Sequence, residues 1–339
     1  MKIVNNKKII LAITDDFKIR CSIEDNLKYL GFEVTAIIPE VTEKFEYRNF
    51  KEWALNFIRK NLFRDKEYKK TLRQNFEREV LLKKLSKADY TLTIRADRFE
   101  DDFIHKLLKC SPKNYSYQWD GLKRYERIIK LVPYFTKFYV FDKTDLSQKN
   151  KTYPTTNFYF DCYPHLLENR NPKYDITFIG SYDNRIEKLI PICESLYNKG
   201  YKLNIFLFCP DEREPNSYPF LKHSRTPFSY YEYLKIISDT KCIMDLHHES
   251  IHNGLSFRSF EALGYNKKLL TTNLSVKDYD FYNPQNVFFL QKTNNLSKMD
   301  EFLNSDYKEI DPVIKNKYSF TNWIKYILEI DGHTPIEIP

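Results

Sequence analysis

Residues 9–39 read IILAITDDFKIRCSIEDNLKYLGFEVTAIIP, and this stretch decides the fold. Ile9–Ile13 is an unbroken apolar run closed by Thr14, Asp15 and Asp16, the pattern of a parallel strand buried on both faces. Ile23, Leu27 and Leu30 then recur at helical spacing, and Gly31 stands where a helix C-cap belongs. A second strand, Phe32–Ile38, is closed by Pro39. Strand, helix, strand in so few residues is one βαβ unit, and it predicts an α/β fold.

The same grammar extends along the chain. Strands are expected at Tyr90–Ile94, ending in Arg95-Ala96-Asp97, at Asn114–Trp119, ending in Asp120-Gly121, and at Lys137–Phe141, followed by Asp142 and Asp145, with a helix at Phe103–Leu108. The polar, proline-flanked stretch Pro164–Pro172 reads as a linker. A second series follows: strand Tyr174–Ile179 into Gly180-Ser181, helix Arg185–Asn198, Gly200, strand Leu203–Phe208 and a loop at Pro210–Pro219. It continues with a helix after Ser229, strand Cys242–Leu246, a loop holding His247, His248 and His252, helix Ser256–Leu263, Gly264 and strand Lys268–Thr272. "Helix, Gly, strand" recurs at Gly31, Gly200 and Gly264 and predicts one C-cap turn used three times. The expected division is 1–165, 172–318, and a tail 319–339 carrying an amphipathic helix at Phe320–Ile330. Acids at strand ends point to a doubly wound architecture with its chemistry at the carboxyl edge.

Composition sets limits. At 339 residues the chain exceeds what one core serves, and 42% hydrophobic with 29% charged residues excludes a disordered chain. No stretch approaches the ~18 apolar residues of a membrane span, and the run at Ile9–Ile13 is too short for a signal peptide, so a cytoplasmic location is expected. Six cysteines without a CxxC pair read as reduced, mostly buried side chains. Aromatic residues reach 16% while only 7 glycines occur. Segment 43–84 holds 13 Lys/Arg against 7 Asp/Glu with aromatics interleaved and no Gly or Pro, which predicts one or two amphipathic helices. It can be read as a membrane-facing surface, as a surface for single-stranded nucleic acid, or as a helical cover for the first sheet.

The densest chemistry lies in His252–Gly264. Gly254 stands between a loop and a helix, where a missing Cβ admits an anion to the first-turn N–H groups. Arg258 and Glu261 share a helical face, one suited to phosphate and the other to a sugar diol, or they form an ordinary solvated pair on a capped helix. Phe178–Arg185 carries one glycine after a strand. It lacks the three glycines of a dinucleotide fingerprint and the Lys-Ser/Thr of a P-loop, which argues against dehydrogenase and ATPase activities. The three histidines lack the spacing and co-ligands of a zinc site, so no metal is expected, and Asp245 is placed to orient one imidazole. Tyr230, Tyr231 and Tyr233 read as a stack for a nucleobase or as core aromatics.

GLSFRSFEALGYNKKLLTTN (254–273), TFIGSYDNR (177–185) and YQWDGLKRY (117–125) together resemble bacterial GT-B glycosyltransferases of lipopolysaccharide and capsular polysaccharide synthesis. The resemblance implies two Rossmann-like domains facing a cleft, the first for a glycan or lipid-linked glycan acceptor and the second for a nucleotide-sugar, a UDP-sugar ahead of other donors. It implies transfer without a metal or cofactor, no nucleic-acid partner, and contact with the inner face of the membrane. By position, Gly180, Ser181 and Arg185 match the diphosphate-side loop, Asn253, Gly254, Leu255 and Ser256 the helix start, and Glu261 the ribose-binding acid. Arg258, Arg185 and the helix dipole would stabilise the departing diphosphate. Many retaining members carry a second glutamate where this chain has Asn253, which leaves the stereochemistry open. For inversion, Asp97 and Asp120 are the candidate bases, unless they only cap turns. Two other readings compete: a nucleotide-sugar epimerase on the same architecture, and a non-catalytic nucleic-acid-binding protein.

Overall fold

The computed structural model describes residues 6–167, 171–209, 218–247, 254–290 and 296–339. Among them twelve strands form two sheets of six. The first contains β1 (Lys8–Ala12), β2 (Glu33–Ile37), β3 (Tyr90–Ile94), β4 (Asn114–Gln118), β5 (Lys137–Val140) and β6 (Thr152–Pro154), in the order β2-β1-β3-β4-β5-β6. The second contains β7 (Tyr174–Ser181), β8 (Leu203–Phe208), β9 (Leu221–Ser224), β10 (Thr240–Asp245), β11 (Lys268–Thr271) and β12 (Val287–Phe289), in the order β12-β11-β10-β7-β8-β9. Every pairing within both sheets is parallel. Parallel neighbours require crossovers, and the crossovers carry the helices. In the first half these are α1 (Ile19–Tyr29), α2 (Phe50–Leu62), α3 (Glu67–Lys83) and α4 (Asp101–Leu107), with the short α5 (Pro164–Leu167) after β6. In the second they are α6 (Ile186–Asn198), α7 (Tyr230–Ser238), α8 (Phe257–Gly264) and α9 (Leu296–Asn304), then α10 (Pro312–Lys317) and α11 (Phe320–Ile327).

The chain is thus α/β, with two doubly wound sheets, and each sheet has one place where its winding reverses. In the first sheet the reversal falls between β1 and β3, in the second between β7 and β10. Carboxyl-end crevices at such points are where open α/β sheets bind ligands.

One short segment, residues 155–160, joins the sheets. Thr155 N donates to the Val140 carbonyl on β5, while the Asn157 amide accepts from the Tyr117 hydroxyl on β4 and donates 2.9 Å to the Leu255 carbonyl. Phe158 packs against Phe257, Phe320 and Trp323, with ring centroids 5.2, 5.0 and 4.4 Å away. Helix α11 returns across this seam: Trp323 lies edge-on to Tyr117 at 5.3 Å, and the Tyr326 hydroxyl donates to the Pro154 carbonyl. A single buried cluster therefore runs from Ile9 and Leu92 of the first sheet to Phe260 and Leu269 of the second. Much of the chain's aromatic excess is spent on this seam.

Several expectations need correction. Gly31 and Gly200 do adopt φ of +99° and +89°, but Gly264 is the last residue of α8 and the left-handed turn falls on Asn266, φ +52°. Gly264 is small because the Tyr159 ring lies on it, closer than any Cβ would tolerate. Gly254 likewise serves close packing: a Cβ there would meet the Phe141 carbonyl oxygen at 2.6 Å, so the backbone it admits is the protein's own and not an anion. Strands β6, β9 and β12 escaped notice because three or four residues are too few to make a readable pattern, whether partly polar as in β6 and β9 or apolar as in β12. The stretch read as a linker begins as α5, and residues 168–170 within it lie outside the described residues. Segment 43–84 is two helices, and α2 does not cover the sheet: Trp53, Phe57 and Leu62 face outward, while only the end of α3, through Leu81 and Leu82, packs on the core.

Gly264→Ala tests the seam. Helix propensity alone would favour alanine by about 1 kcal/mol, but overpacking against Tyr159 should outweigh it and destabilise the fold by about 1–3 kcal/mol in urea unfolding. Stabilisation by alanine would show that the seam is loose.

Candidate functional site

Residues from the carboxyl ends of both sheets line one cavity of about 470 Å³. The first sheet contributes Asp16 and Phe17 after β1, Arg95 after β3 and Trp119 after β4, that is, both flanks of its reversal point. The second contributes Ile179, Gly180 and Ser181 of β7, Arg185, and Ser256, Phe257, Arg258 and Glu261 around the start of α8. Phe206, Ser224 and Phe228 extend the wall toward β8 and β9.

Two arginines span the β7/β10 reversal. Arg258 donates 2.6 Å to the Ile179 carbonyl at the end of β7 and 3.2 Å to Asp245 at the end of β10. Burial works against its charge, but Tyr233, Asp245 and Glu261 outweigh that and hold its pKa above the ordinary value. Arg185 crosses in the other direction, donating to the Leu246 carbonyl at 2.8 Å while Asp183 grips its Nε and Nη2. Arg258 Nε and Ser256 Oγ are buried without a partner among the described residues, and Ser256, the N-cap of α8, makes no side-chain capping bond. Uncapped first-turn amides beside two guanidinium groups are the donor set that an anion seat would need.

Glu261 sits at the base of this seat, fully buried, its two carboxylate oxygens accepting from the Tyr230 and Tyr233 hydroxyls. It is not one half of a solvated pair. Burial pushes its pKa up to about 7 against the opposing pull of the two tyrosines and Arg258.

On the opposite wall Arg95 holds a left-handed backbone, φ +62°, which a non-glycine residue adopts only when its surroundings impose it. Its guanidinium binds Asp97 bidentately, with both contacts at 2.8 Å, and Asp120 through Nη1. Asp97 also accepts from Gln118 at 2.7 Å. Burial raises its pKa, but the Arg95 and Gln118 hydrogen bonds prevail and lower it. Its side chain is 3% exposed.

Of the residues singled out by sequence, Gly180, Ser181, Arg185, Ser256, Arg258 and Glu261 line the cavity together. Gly254 and Leu255 lie behind it, packed on the first sheet, and Asn253, His248 and His252 fall outside the described residues. Asp97 and Asp120 serve Arg95 and are not among the cavity's lining. Asp245 accepts from Arg258. Tyr230 and Tyr233 hold Glu261, while Tyr231 packs on Tyr163 at 5.0 Å. Among the described residues, no group of three His, Cys, Asp or Glu side chains is placed to hold a metal ion. Sequence reasoning missed Asp16 and Arg95, although Asp16 ends the very first strand as Asp97 and Asp120 end later ones.

No family model matches the chain, and no curated protein matches it. Among solved structures it is similar to the glycotransferase of kitacinnamycin, at 9% identity over 92% of this chain and 93% of that one, TM-score 0.43. It is also similar to MurG of Acinetobacter baumannii, at 13% identity over 79% of each chain, TM-score 0.34. A mitochondrial ornithine carbamoyltransferase of Coccidioides immitis follows at 10% identity over 98% of this chain and 88% of that one, TM-score 0.20. Likenesses this distant carry no argument about what the chain does, which has to be read from the site alone.

Glu261 makes stability depend on pH. Its folded pKa of about 7 lies above the ordinary 4.5, so between those values the unfolded chain releases a proton that the folded one keeps. Stability should fall by roughly 3 kcal/mol as pH rises through that window. Glu261→Gln keeps both tyrosine partners and should remove the fall, gaining on the wild type between pH 5 and pH 8 in urea unfolding. Parallel pH profiles would show that the carboxyl is already ionised at pH 5.

Proposed function

We propose that the chain is a glycosyltransferase that moves a sugar from a nucleotide-sugar, foremost a uridine diphosphate sugar, to a glycan or lipid-linked glycan acceptor of a bacterial surface polysaccharide. The observation that carries this reading is the anion seat at the β7/β10 reversal: Arg185 and Arg258 fixed across it, unpartnered Ser256 Oγ and Arg258 Nε, and the uncapped start of α8. A diphosphate fits that donor set, because its charge is spread over several oxygens that accept from planar guanidinium and backbone N–H alike. Glu261, one helical turn beyond Arg258 and among the residues lining the cavity, would receive a ribose hydroxyl beside the Tyr230 and Tyr233 hydroxyls from which it already accepts.

Transfer needs two faces, and the second comes from the first sheet: Asp16, Phe17 and Trp119 would meet the acceptor. This favours transfer over epimerisation, which needs no acceptor wall. In an inverting displacement the acceptor oxygen bonds to the anomeric carbon as the bond to the diphosphate oxygen breaks, and the diphosphate leaves with the electron pair. Arg258, Arg185 and the α8 amides take up that charge without a metal. Asp16 receives the acceptor's proton. Its Oδ2 is held at 2.8 Å by Thr14 Oγ1 and the residue is exposed at the cavity mouth, whereas Asp97 and Asp120 are committed to Arg95.

Calorimetry with uridine, cytidine, guanosine and adenosine diphosphates tests the seat. Uridine diphosphate should bind best, and Arg258→Ala should weaken it by about 2–4 kcal/mol, the scale of a lost charge-assisted contact with a buried partner left behind. If none of the four binds, the reading fails. Asp16→Asn should lower turnover by about a hundredfold or more with donor affinity unchanged, while Asp97→Asn should chiefly lower the melting temperature. The reverse pattern would return the base role to Asp97.

A further inference from the structure

Helix α2 is built the wrong way round for a soluble cover. Phe50, Trp53, Phe57, Ile58 and Leu62 recur at helical spacing, the pattern of a buried face, yet all are exposed, Phe50 by 76% and Leu62 by 74%, and Phe63 beyond them by 70%. The inward side of the helix is the polar one, where buried Asn56 donates to the Tyr47 hydroxyl. None of these apolar residues joins any of the three core clusters. Around them Lys51, Lys60, Arg64 and Lys66 are exposed, and among the described residues no acidic side chain pairs with them.

We propose that α2 is an interfacial helix that lays this face into an anionic lipid surface. Three observations choose lipid over the other occupants. The rings of Phe50, Trp53 and Phe57 stack in a row, at 5.3 and 5.7 Å and 30° and 22°, so Trp53 is held between its neighbours and the three present one continuous apolar strip in place of separate platforms for bases. Ile58 and Leu62 extend the face with aliphatic groups that offer no stacking surface to a base but bury well among acyl chains. The surrounding charge is positive on balance, Lys51, Arg59, Lys60, Arg64 and Lys66 against Glu52, Asp65 and Glu67, with Arg59 already paired to Asp65, so a second copy of the chain would set the excess of like charge together, whereas acidic headgroups complement it. At about 1.5 Å per residue the helix is roughly 20 Å long, and no helix of the described residues is long and apolar enough to cross a membrane, so α2 would lie in the plane of the interface. This inference stands on the α2 face and is independent of the reading of the cavity.

Sedimentation of the full chain with vesicles of phosphatidylcholine alone, or of phosphatidylcholine and phosphatidylglycerol in equal parts, tests it. Binding is expected to the anionic vesicles, to weaken with salt, and to fall about tenfold or more in the double variant Trp53→Ser, Phe57→Ser and in the triple variant Lys51→Glu, Lys60→Glu, Arg64→Glu. Because the substituted side chains are exposed, thermal melts followed by circular dichroism should match the wild type. Trp53 also reports directly: its emission should shift to the blue with anionic vesicles, and Trp53→Phe should abolish the shift while leaving sedimentation in place. Equal sedimentation of wild type and double variant would overturn the proposal. So would a wild-type dimer, or retention on a single-stranded oligonucleotide, that the double variant loses.

Discussion

The cavity exists because two sheets are held at a fixed spacing, and the constraint that fixes it is the crossing segment 155–160. The residues in its middle divide the work: Asn157 ties Tyr117 to the Leu255 carbonyl, Phe158 fills the space under Phe257 and Trp323, and Tyr159 presses on Gly264. Phe141 meeting Gly254 is the same constraint seen from β5. Dispersion contacts between rings are individually small, but here they form one continuous core across both sheets, so neither sheet can shift without opening voids in the other. The position of Ser256 relative to Asp16 is therefore a product of aromatic packing that starts beside Ser256, at Phe257 on Phe158 and Phe141 on Gly254.

This also explains which parts of the molecule could be read from the sequence. The βαβ grammar is local: an apolar run, a 3.6-residue period and a glycine lie within thirty residues, and β1, β3, β7 and β8 appear near where Ile9, Tyr90, Tyr174 and Leu203 place them. The switch-point residues of the second sheet were legible for the same reason, since Gly180 and Arg258 lie beside the strands they serve. What could not be read is whatever depends on the seam. Gly254 and Gly264 look like an anion turn and a C-cap because those are the local reasons for glycine. Their actual partners, Phe141 and Tyr159, are more than a hundred residues away in sequence.

Acids at strand ends show the same limit. Asp16, Asp97 and Asp120 are indistinguishable in sequence, because each follows an apolar or aromatic run. Only the fold separates them: Arg95 leaves β3 in a left-handed turn and draws Asp97 and Asp120 into its own neutralisation, leaving Asp16 at the mouth of the cavity. Segment 43–84 could not be decided either, because periodicity reveals that a helix has an apolar face but not which way that face turns.

The pairing of each arginine with an acid bears on what the site can do. Arg185 has Asp183, Arg258 has Asp245, and Arg95 has Asp97 and Asp120, so each of these guanidinium groups in the cavity wall is offset by a carboxylate. A guanidinium carries five N–H donors, and the Asp245 and Ile179 bonds of Arg258 occupy one each on Nη1 and Nη2, leaving three, with Nε wholly unpartnered. The carboxylate and the carbonyl thus fix the plane of the group without exhausting it. A ligand anion arriving there meets donors already oriented, in a wall already desolvated, and little of its interaction is lost to ordering the site. Removing Asp245 would leave the charge in place but free the plane, so on the proposed reading it acts as a positioning residue whose effect is felt in the geometry of the seat.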